Sequence, residues 1–304
     1  MASPAMPSLP DILTAKEGFL GLDIDTPFAE TRAVIVPFGL EASVSYGGGT
    51  ANGPAAIIEA SHQVELFDEE LLCEPWEQYG VATLQPQPIA EPIPAALQQL
   101  GNTVEALLAA DKFPMVLGGE HSLTAGLIAP YLKRYPDLAI LHFDAHADLR
   151  DGYDGEHYSH AAALRRCLDH PISTLVSIGI RNISAGEYDY YQENRDRISI
   201  YWGHEKAQWN IDEIIAPLKG RPVYLTFDLD GFDASLMAAT GTPEPGGLFW
   251  EDAINIIRAA SKVSTIVGAD IVELAPKPNL HACDFLAAKL AYKILNYSLA
   301  CRKG

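Results

Sequence analysis

Residues 138–148 read Leu-Ala-Ile-Leu-His-Phe-Asp-Ala-His-Ala-Asp, and this stretch decides how the fold is interpreted. Its apolar first part predicts a buried strand, because a strand covered on both faces reads as a continuous apolar run. Asp144, His146 and Asp148 follow at every second position, and in an extended segment such residues point to the same side. Two carboxylates and an imidazole can therefore converge just past a strand end, where an open α/β sheet binds its ligands. Taken alone, the stretch also fits a polar loop rich in Asp and His.

Seven further strand candidates accompany this one, and most are separated by predicted helices. The eight strands are predicted over 33–38, 80–84, 113–117, 138–143, 174–180, 198–202, 223–227 and 264–272. The helices are predicted over 54–60, 95–110, 211–218, 250–262 and 283–298, and one more is predicted to follow His121 and to run to about residue 135. Apolar strands that alternate with helices predict an α/β fold with a parallel sheet covered on both faces. No internal repeat is present, so we expect one domain over 31–304, preceded by an irregular, proline-containing arm over 1–30.

The composition excludes some classes of function. The chain has 304 residues, of which 48% are hydrophobic, so it should bury a large core. Acidic residues outnumber basic ones 40 to 21, and the formal charge is -19. A nucleic-acid-binding protein needs a basic surface, and anionic lipid attracts basic segments, so both partners are disfavoured. A negative field suits a cationic ligand or a metal ion.

The cysteines and the N-terminus bear on localisation. Cys73, Cys167, Cys283 and Cys301 are far apart and form no Cys-x-x-Cys pair, so neither a disulfide framework nor a zinc knuckle is expected. Scattered thiols in a chain of this size suggest a reducing cytoplasm. The N-terminus lacks the basic and apolar regions of a signal peptide, and no apolar run is long enough to span a bilayer.

Further candidate ligands follow three other predicted strands. His121 follows the strand at 113–117, Asp228 and Asp230 follow the strand at 223–227, and Glu273 follows the strand at 264–272. The carboxyl ends of parallel strands share one edge of the sheet, so these side chains should meet those of residues 144–148. The carboxylates would repel one another unless cations lay between them.

Two divalent metal ions would resolve this repulsion. Oxygen-rich ligands with a minority of imidazoles favour a metal such as Mn²⁺ over Zn²⁺. Two ions ~3.5–4 Å apart lower the pKa of a bound water towards ~7, which indicates hydrolysis of a small polar carbon or phosphorus centre. Singly, His121 could cap a helix, and Asp228 and Asp230 could form an Asx-turn; jointly, six such residues favour the metal site. Gly118 and Gly119 are expected to let the backbone approach a ligand closely.

Three segments of this edge resemble the signature motifs of the ureohydrolase family, which includes arginases and agmatinases. They are Gly-Gly-Glu-His-Ser at 118–122, Asp-Ala-His-Ala-Asp at 144–148 and Asp-Leu-Asp-Gly-Phe-Asp at 228–233. Residues 241–248 and 268–273 resemble the C-terminal signatures, and the similarity runs from about residue 34 to residue 299. The resemblance implies an arginase-like, three-layer α/β/α fold with an eight-stranded, mostly parallel sheet. It also implies a hydrolase that uses two Mn²⁺ ions per subunit to cleave a guanidinium group to an amine and urea.

The resemblance also implies roles for individual residues. One metal would be bound by His121, Asp144, Asp148 and Asp228, and the other by Asp144, His146, Asp228 and Asp230, so that Asp144 and Asp228 bridge. A hydroxide between the metals would attack the guanidinium carbon. Glu273 matches the carboxylate that binds the guanidinium, and a planar cation pairs with a carboxylate in a bidentate way. His160 matches the histidine that shuttles a proton, and an imidazole that titrates near neutrality suits this task.

Substrate choice is expected to lie in residues 149–159. Arginases bind the α-carboxylate and α-amine of their substrate with Asn and Ser in this loop, and no clear match to that pattern is present. Instead the loop has three acids, Asp151, Asp154 and Glu156, against Arg150. These acids favour a substrate with no negative charge on its tail, and agmatine fits best. Thr242, in a segment that looks more like agmatinases than arginases, joins them as a predicted substrate-binding residue.

The hypothesis is therefore an agmatinase that forms putrescine, a precursor in polyamine biosynthesis, and urea. Arg150 either pairs locally or holds a carboxylate, as an arginase or a guanidinobutyrase would need, and His157 beside the loop has no assigned role. Two other classes stay open: a non-catalytic binder of guanidino compounds, and a single-metal zinc deacetylase on a related fold. The metal could also be Fe, Co or Ni. The resemblance implies a homo-oligomer, either a trimer or a hexamer.

Overall fold

Eight strands form one sheet in the computed structural model, which describes residues 9–300. The strands are β1 Ala33–Phe38, β2 Val81–Thr83, β3 Phe113–Gly118, β4 Ala139–Phe143, β5 Thr174–Ile180, β6 Ile198–Trp202, β7 Pro222–Asp228 and β8 Thr265–Val272. Their order across the sheet is β2-β1-β3-β8-β7-β4-β5-β6, and every neighbouring pair is parallel. The eight-stranded sheet is confirmed, and it is entirely rather than mostly parallel. The first eight residues of the predicted arm, and Cys301, lie outside the described residues.

Helices connect most of the strands. They are α1 Gly53–Ser61, α2 Trp76–Tyr79, α3 Ile93–Ala109, α4 Ile128–Arg134, α5 Ala163–Leu168, α6 Ala185–Glu193, α7 Ile211–Ile215, α8 Trp250–Val263 and α9 His281–Leu299. The helix predicted from His121 to about residue 135 is wrong in its first part, because His121–Gly126 is a 3₁₀-helix and α4 begins at Ile128. His121 and Thr124 both form hydrogen bonds towards the sheet, and residues three apart are eclipsed on a 3₁₀-helix. The tighter winding therefore lets both side chains point the same way.

The sheet lies between two hydrophobic layers, and alternation along each strand supplies them both. Leu141 and Phe143 of β4 pack in the layer that contains α1, α8 and α9. Ile140, which points to the opposite face, packs in the layer that contains α3, α4 and α5. The predicted three-layer α/β/α architecture is thus present, and burial on both faces explains why the strands read as continuous apolar runs.

The described part of the predicted arm, residues 9–30, contains neither helix nor strand but packs tightly on the domain. Ile12 forms an isolated antiparallel bridge with Leu84, beyond the end of β2. Phe19 and Leu22 are buried in the core. The arm therefore covers the β2 edge of the sheet, which would otherwise present unpaired backbone groups.

The structure bears on the cysteines and on membrane-spanning helices. Cys73, Cys167 and Cys283, the three cysteines in the described part of the chain, are free thiols. Over residues 9–300, no helix is both long enough and apolar enough to cross a membrane.

Candidate metal centre and active site

The predicted ligands converge because their four strands are neighbours. His121 follows β3, Asp144 follows β4, Asp228 ends β7 and Glu273 follows β8. These four strands are adjacent in the sheet, in the order β3-β8-β7-β4. Their carboxyl ends therefore form one rim, as the positions of these residues in the sequence predict.

One set of side chains surrounds His121. Its Nδ1 atom lies 3.1, 3.0 and 3.4 Å from the Oδ2 atoms of Asp144, Asp148 and Asp228, respectively. All four residues are buried. Among residues 9–300, this Nδ1 atom has no partner with hydrogen-bond geometry, although three carboxylate oxygens face it. A buried nitrogen that lacks a hydrogen bond and is ringed by carboxylates fits a divalent cation well.

A second set surrounds His146. Its Nδ1 atom lies 3.0 Å from Asp230 Oδ2 and 3.5 Å from Asp144 Oδ1. One donor atom from each of these three residues lies within 4.8 Å of the other two. Asp144 therefore has one oxygen in each set, because its Oδ2 faces His121. The arrangement suits two metal ions with Asp144 between them.

The bridging role predicted for Asp228 has less direct support than that of Asp144. Asp228 Oδ2 belongs to the set around His121. Its Oδ1 accepts a hydrogen bond from the backbone N–H of Asp230 at 2.9 Å. A bridge by Asp228 therefore stays a prediction.

Burial and mutual repulsion perturb the ionisation of this cluster. Burial alone would lower the pKa of His121, but its ion pairs with Asp144, Asp148 and Asp228 outweigh burial and raise that pKa well above its usual value. His146 behaves in the same way, and its pKa rises to about 12. Burial and neighbouring acids raise the pKa of Asp228 well above its ordinary range. Protons on the imidazoles thus balance the carboxylates when cations do not.

His142 is a buried histidine that contacts the carboxylate of Asp144. Donor atoms of His121, His142 and Asp144 lie within 4.8 Å of one another, so His142 is itself close enough to bind a metal. Both of its ring nitrogens have other partners, however. Nδ1 lies 3.0 Å from Ser177 Oγ, and Nε2 lies 2.8 Å from Asp144 Oδ2. We therefore assign His142 to the orientation of Asp144.

A buried carboxylate, Asp270, anchors His121 through a hydroxyl. Thr226 is the register partner of Asp270 on the neighbouring strand, and Thr226 Oγ1 donates to Asp270 Oδ1 at 2.6 Å. Tyr224 and Thr124 donate to Asp270 Oδ2 at 2.7 and 2.9 Å. Since the proton of Thr226 is directed at Asp270, its oxygen can accept the Nε2–H of His121, 2.9 Å away. This hydrogen bond leaves His121 Nδ1 free to bind a metal.

Asp270→Asn is expected to weaken the binding of divalent metal by about 10- to 100-fold, as losses of such supporting hydrogen bonds do. An amide cannot accept from all three hydroxyls, so Thr226 loses its fixed orientation. Metal titration against a chelating dye at constant pH measures the effect. Tyr224→Phe is the matched control, because it removes one donor to Asp270 and leaves Thr226 in place. Unchanged metal affinity in Asp270→Asn would contradict this role.

Glu273 lies close to the sets around His121 and His146 and has an unusual backbone conformation. Its φ is 67°, and Asp148 also has a positive φ of 52°. Such conformations cost roughly 1–3 kcal/mol each in non-glycine residues and cluster at functional sites. The Glu273 carboxylate accepts the backbone N–H of His121 at 2.8 Å. Burial, together with the charges of Asp230 and Glu120, raises the pKa of Glu273 to about 8.

A side chain at Gly118 or Gly119 would collide with other atoms of the protein, and a close approach of their backbone to a ligand stays a prediction. A Cβ atom on Gly119 would lie 2.0 Å from the carbonyl oxygen of Leu40, and one on Gly118 would lie 2.3 Å from the side chain of Leu123. Gly119 allows the loop after β3 to pack against the loop after β1. This close packing becomes important for His160.

A cavity of about 350 Å³ opens above the two sets. Its wall contains five of the six predicted ligands, the buried Asp144 being the exception, and it also contains Glu273, His160 and Thr242. Thr242 Oγ1 donates to Asp230 Oδ2 at 3.3 Å. Eight of the predicted site residues therefore line one cavity, and Asp144 lies buried beside them.

The structure does not place the three acids of the predicted substrate loop in this wall. Tyr153 and Glu156 exchange backbone hydrogen bonds, which close a turn with the exposed Asp154 at its tip. Asp151 pairs with Arg166 at 2.7 Å. His157 also contacts Arg166 and is absent from the cavity wall. The spacing of the acids in the sequence could not reveal that this turn removes them from the cavity.

Glu187 and Asn182 are among the polar residues of the wall that the sequence interpretation missed. Glu187 is buried and lies 3.7 Å from Arg150 Nε, and Arg150 also lies over the ring of Tyr153 at 5.0 Å. The amide nitrogen of Asn182 is buried and has no hydrogen-bond partner within the described residues. The spacing Ser184-x-x-Glu187 is a capping-box signature that could have revealed α6, but not that Glu187 faces the cavity.

Known proteins are similar to this chain over most of its length. The Arginase family model matches residues 31–296. The N(1)-aminopropylagmatine ureohydrolase of Synechocystis sp. is 35% identical over 288 residues, which cover 92% of this chain and 93% of that protein. The agmatinase of Bacillus cereus is 36% identical over 253 residues, covering 82% and 85%. The structure of agmatine ureohydrolase of Thermoplasma volcanium superposes with a TM-score of 0.80 at 29% identity, covering 90% and 92%.

These similarities agree with the geometry of the rim. The two His/Asp sets are consistent with the binuclear metal site of the matched family, and no part of the two sets requires a cysteine ligand. The family model spans every strand of the sheet and every predicted site residue. The chain therefore belongs to the arginase family and is a metal-dependent ureohydrolase.

Proposed function

We propose that this ureohydrolase converts agmatine and water to putrescine and urea, with two Mn²⁺ ions per subunit. The charge of the cavity wall carries the choice of substrate. Arg150 is the only lysine or arginine in the wall formed by the described residues, and it pairs with Glu187. No unpaired arginine or lysine is therefore available there to bind a substrate carboxylate. Agmatine, which is arginine without its carboxylate, suits such a wall.

The remaining wall residues supply the chemistry of hydrolysis. Glu273 would bind the guanidinium group by a charge-assisted, bidentate pair. The two bound cations would lower the pKa of a water molecule and supply a nucleophile at neutral pH. His160 gives a proton to the leaving amine nitrogen, so that the amine departs without a negative charge. Thr242 and His142 hold Asp230 and Asp144 in place through the hydrogen bonds described above.

N(1)-aminopropylagmatine is a second candidate, because the similar Synechocystis protein is named for its action on that compound. It also lacks a carboxylate, so the paired state of Arg150 fits both substrates. Tyr46 belongs to the cavity wall and is 87% exposed. Its ring could contact the longer cationic tail through a cation–π interaction. By family resemblance, we also propose that the chain forms a homo-oligomer.

A urea-release panel tests the choice of substrate. The panel includes agmatine, aminopropylagmatine, arginine, guanidinobutyrate and guanidine, each with Mn²⁺, Fe²⁺, Co²⁺ or Ni²⁺. We expect kcat/KM with Mn²⁺ to be at least about 10²-fold higher for agmatine than for arginine or guanidinobutyrate, because a carboxylate would meet no free cation. Urea release from arginine or guanidinobutyrate, but not from agmatine, would contradict the proposal.

Arg150→Met separates the two roles considered for Arg150. If Arg150 pairs only with Glu187, the variant should leave the preference for agmatine over guanidinobutyrate unchanged. If Arg150 instead binds a carboxylate, any activity on guanidinobutyrate should fall selectively in this variant.

A further inference from the structure

Glu120 is a fully buried acid that links two loops of the active site. It follows β3 and precedes His121 in the chain. Its carboxylate accepts the backbone N–H groups of Ala42 and Ser43. It also accepts the hydroxyl protons of Ser43 at 2.8 Å and Ser122 at 2.6 Å. Glu120 therefore ties the loop after β3 to the loop after β1, and the close approach at Gly119 makes this contact possible.

Ser43 connects Glu120 to His160 through hydrogen bonds. The hydroxyl of Ser43 has one proton, and that proton is directed at Glu120, since an ionised carboxylate can only accept. The lone pairs of Ser43 Oγ can then accept hydrogen bonds. They face the backbone N–H of His160 at 3.0 Å and the ring Nδ1 of His160 at 3.1 Å. Nδ1 must therefore carry a proton to complete this network.

The opposite nitrogen of His160 faces the cavity side. Nε2 lies 2.8 Å from Ser45 Oγ, and both Ser45 and His160 belong to the cavity wall. The ring is also held edge-on to Tyr153, with the two ring centroids 6.1 Å apart. With Nδ1 committed to Ser43, Nε2 is the atom that can gain and lose a proton in the cavity.

We propose that Glu120 and Ser43 are positioning residues that fix the orientation and the Nδ1–H tautomer of His160. This inference rests on the proposed function, in which His160 is the proton shuttle. A buried acid that orients an imidazole is a device that other hydrolases use, although here a hydroxyl stands between the two groups. Ser45 keeps Nε2 turned towards the cavity.

The hydrogen bonds from Glu120 through Ser43 to His160, called the relay below, keep their protons during the reaction. Nε2 takes up a proton from the water whose oxygen forms the new bond to carbon. When the C–N bond of the guanidino substrate then breaks, Nε2–H gives that proton to the departing amine nitrogen. The Nδ1 proton stays on His160, and the Ser43 proton stays on Ser43. Glu120 therefore acts through position and charge and does not take up a proton.

Ser43→Ala tests the relay because it removes the hydroxyl while Glu120 keeps its other donors. For the guanidino substrate with the highest activity, we expect kcat to fall about 10- to 100-fold, part of the contribution of a general acid. KM should change by less than about 2-fold, because the loss concerns the transition state. The metal content of two ions per chain and the melting temperature should be unchanged. Ser43→Thr, which restores a hydroxyl, should recover most of kcat.

Ser122→Ala is the matched control. It removes the other hydroxyl that donates to Glu120, and within residues 9–300 the Ser122 side chain forms no hydrogen bond with His160. We expect it to keep near-normal kcat. An equal loss of kcat in Ser122→Ala and Ser43→Ala would overturn the proposal, because the effect would then come from the environment of Glu120 and not from His160.

A double-mutant cycle with His160→Ala separates the relay from the proposed function. If Ser43 acts through His160, Ser43→Ala should cost nothing further in the His160→Ala background. Independent, multiplicative losses would overturn the relay, as would a normal kcat in Ser43→Ala when His160→Ala is impaired. A normal kcat in His160→Ala itself would overturn the shuttle role in the proposed function, and the relay with it.

Discussion

Asp144→Asn is expected to abolish measurable urea release, with a loss of at least about 10³-fold in kcat/KM. This loss corresponds to roughly 4 kcal/mol of transition-state stabilisation. Asp144 is fully buried, and among residues 9–300 it alone has one oxygen facing His121 and the other facing His146. The amide keeps the shape of the carboxylate but replaces one oxygen with a nitrogen that cannot bind a cation. It also removes the negative charge that both metal ions would share.

Metal analysis distinguishes this explanation from simple unfolding. Purified Asp144→Asn should contain at most one ion per chain by elemental analysis and should keep its circular dichroism spectrum. Asp189→Asn, an exposed residue on α6, makes the same chemical change away from the cavity wall and should keep both ions and full activity. Near-normal turnover by Asp144→Asn with two bound ions would show that Asp144 does not bridge the metals.

Lys293→Met is expected to lower the free energy of unfolding by about 3–5 kcal/mol, as the loss of one partner from a buried ion pair does. The Lys293 side chain on α9 is only 2% exposed. Its Nζ atom lies 3.1, 2.9 and 3.2 Å from carboxylate oxygens of Asp68, Glu69 and Glu70, respectively. Asp68 is buried and would keep its charge without its main cation. Urea unfolding at pH 7 measures the loss.

Lys289→Met is the control for this experiment. Lys289 lies on the same helix, and within residues 9–300 it has no ion pair, so its replacement should change the unfolding free energy by less than about 0.5 kcal/mol. If both substitutions lowered the free energy of unfolding equally, the ion pairs of Lys293 would not be the source of the stability.

The stability that Lys293 contributes through Asp68, Glu69 and Glu70 is expected to decrease at acidic pH. Burial alone would raise the pKa of Asp68, but hydrogen bonds from Asn296 and from the backbone, and the pairing with Lys293, lower it. The pKa values of Glu69 and Glu70 are also lowered. A carboxylate with a lowered pKa stabilises the fold above its unfolded-state pKa and loses that contribution as the pH falls through the folded value. The cost of Lys293→Met should therefore shrink below about pH 4.

The strands and the metal-binding rim could be predicted because local spacing carries their information. Strands such as β4 and β5 are buried on both faces, so each reads as an apolar run of a few residues bounded by polar ones. The ligands at 144–148 and 228–230 then follow at intervals of two, which is the side-chain period of an extended segment. The parallel order of the sheet makes neighbouring strand ends meet, and this follows from the alternation of strands and helices.

The helices α5 and α6 lack the apolar periodicity from which a helix is predicted. α5 and α6 have six and nine residues, and α6 is largely polar, so neither shows a long apolar stripe. They form because tertiary contacts and caps stabilise them, as is usual for short helices. Glu187, at the start of α6, consequently went unnoticed as part of the cavity wall.

By itself, the amino-acid sequence determined the α/β sheet, the six candidate metal ligands and, through its family motifs, the type of reaction. These depend on neighbours within a few residues of the chain. Only the tertiary structure decided that Asp270 reaches His121 through Thr226, that Glu120 reaches His160 through Ser43, and that Asp151, Asp154 and Glu156 lie outside the cavity wall. Ser43 and His160 are 117 residues apart, and strand register and loop packing bring such pairs together. No local periodicity in a sequence encodes contacts of that kind, because each depends on the whole sheet having formed.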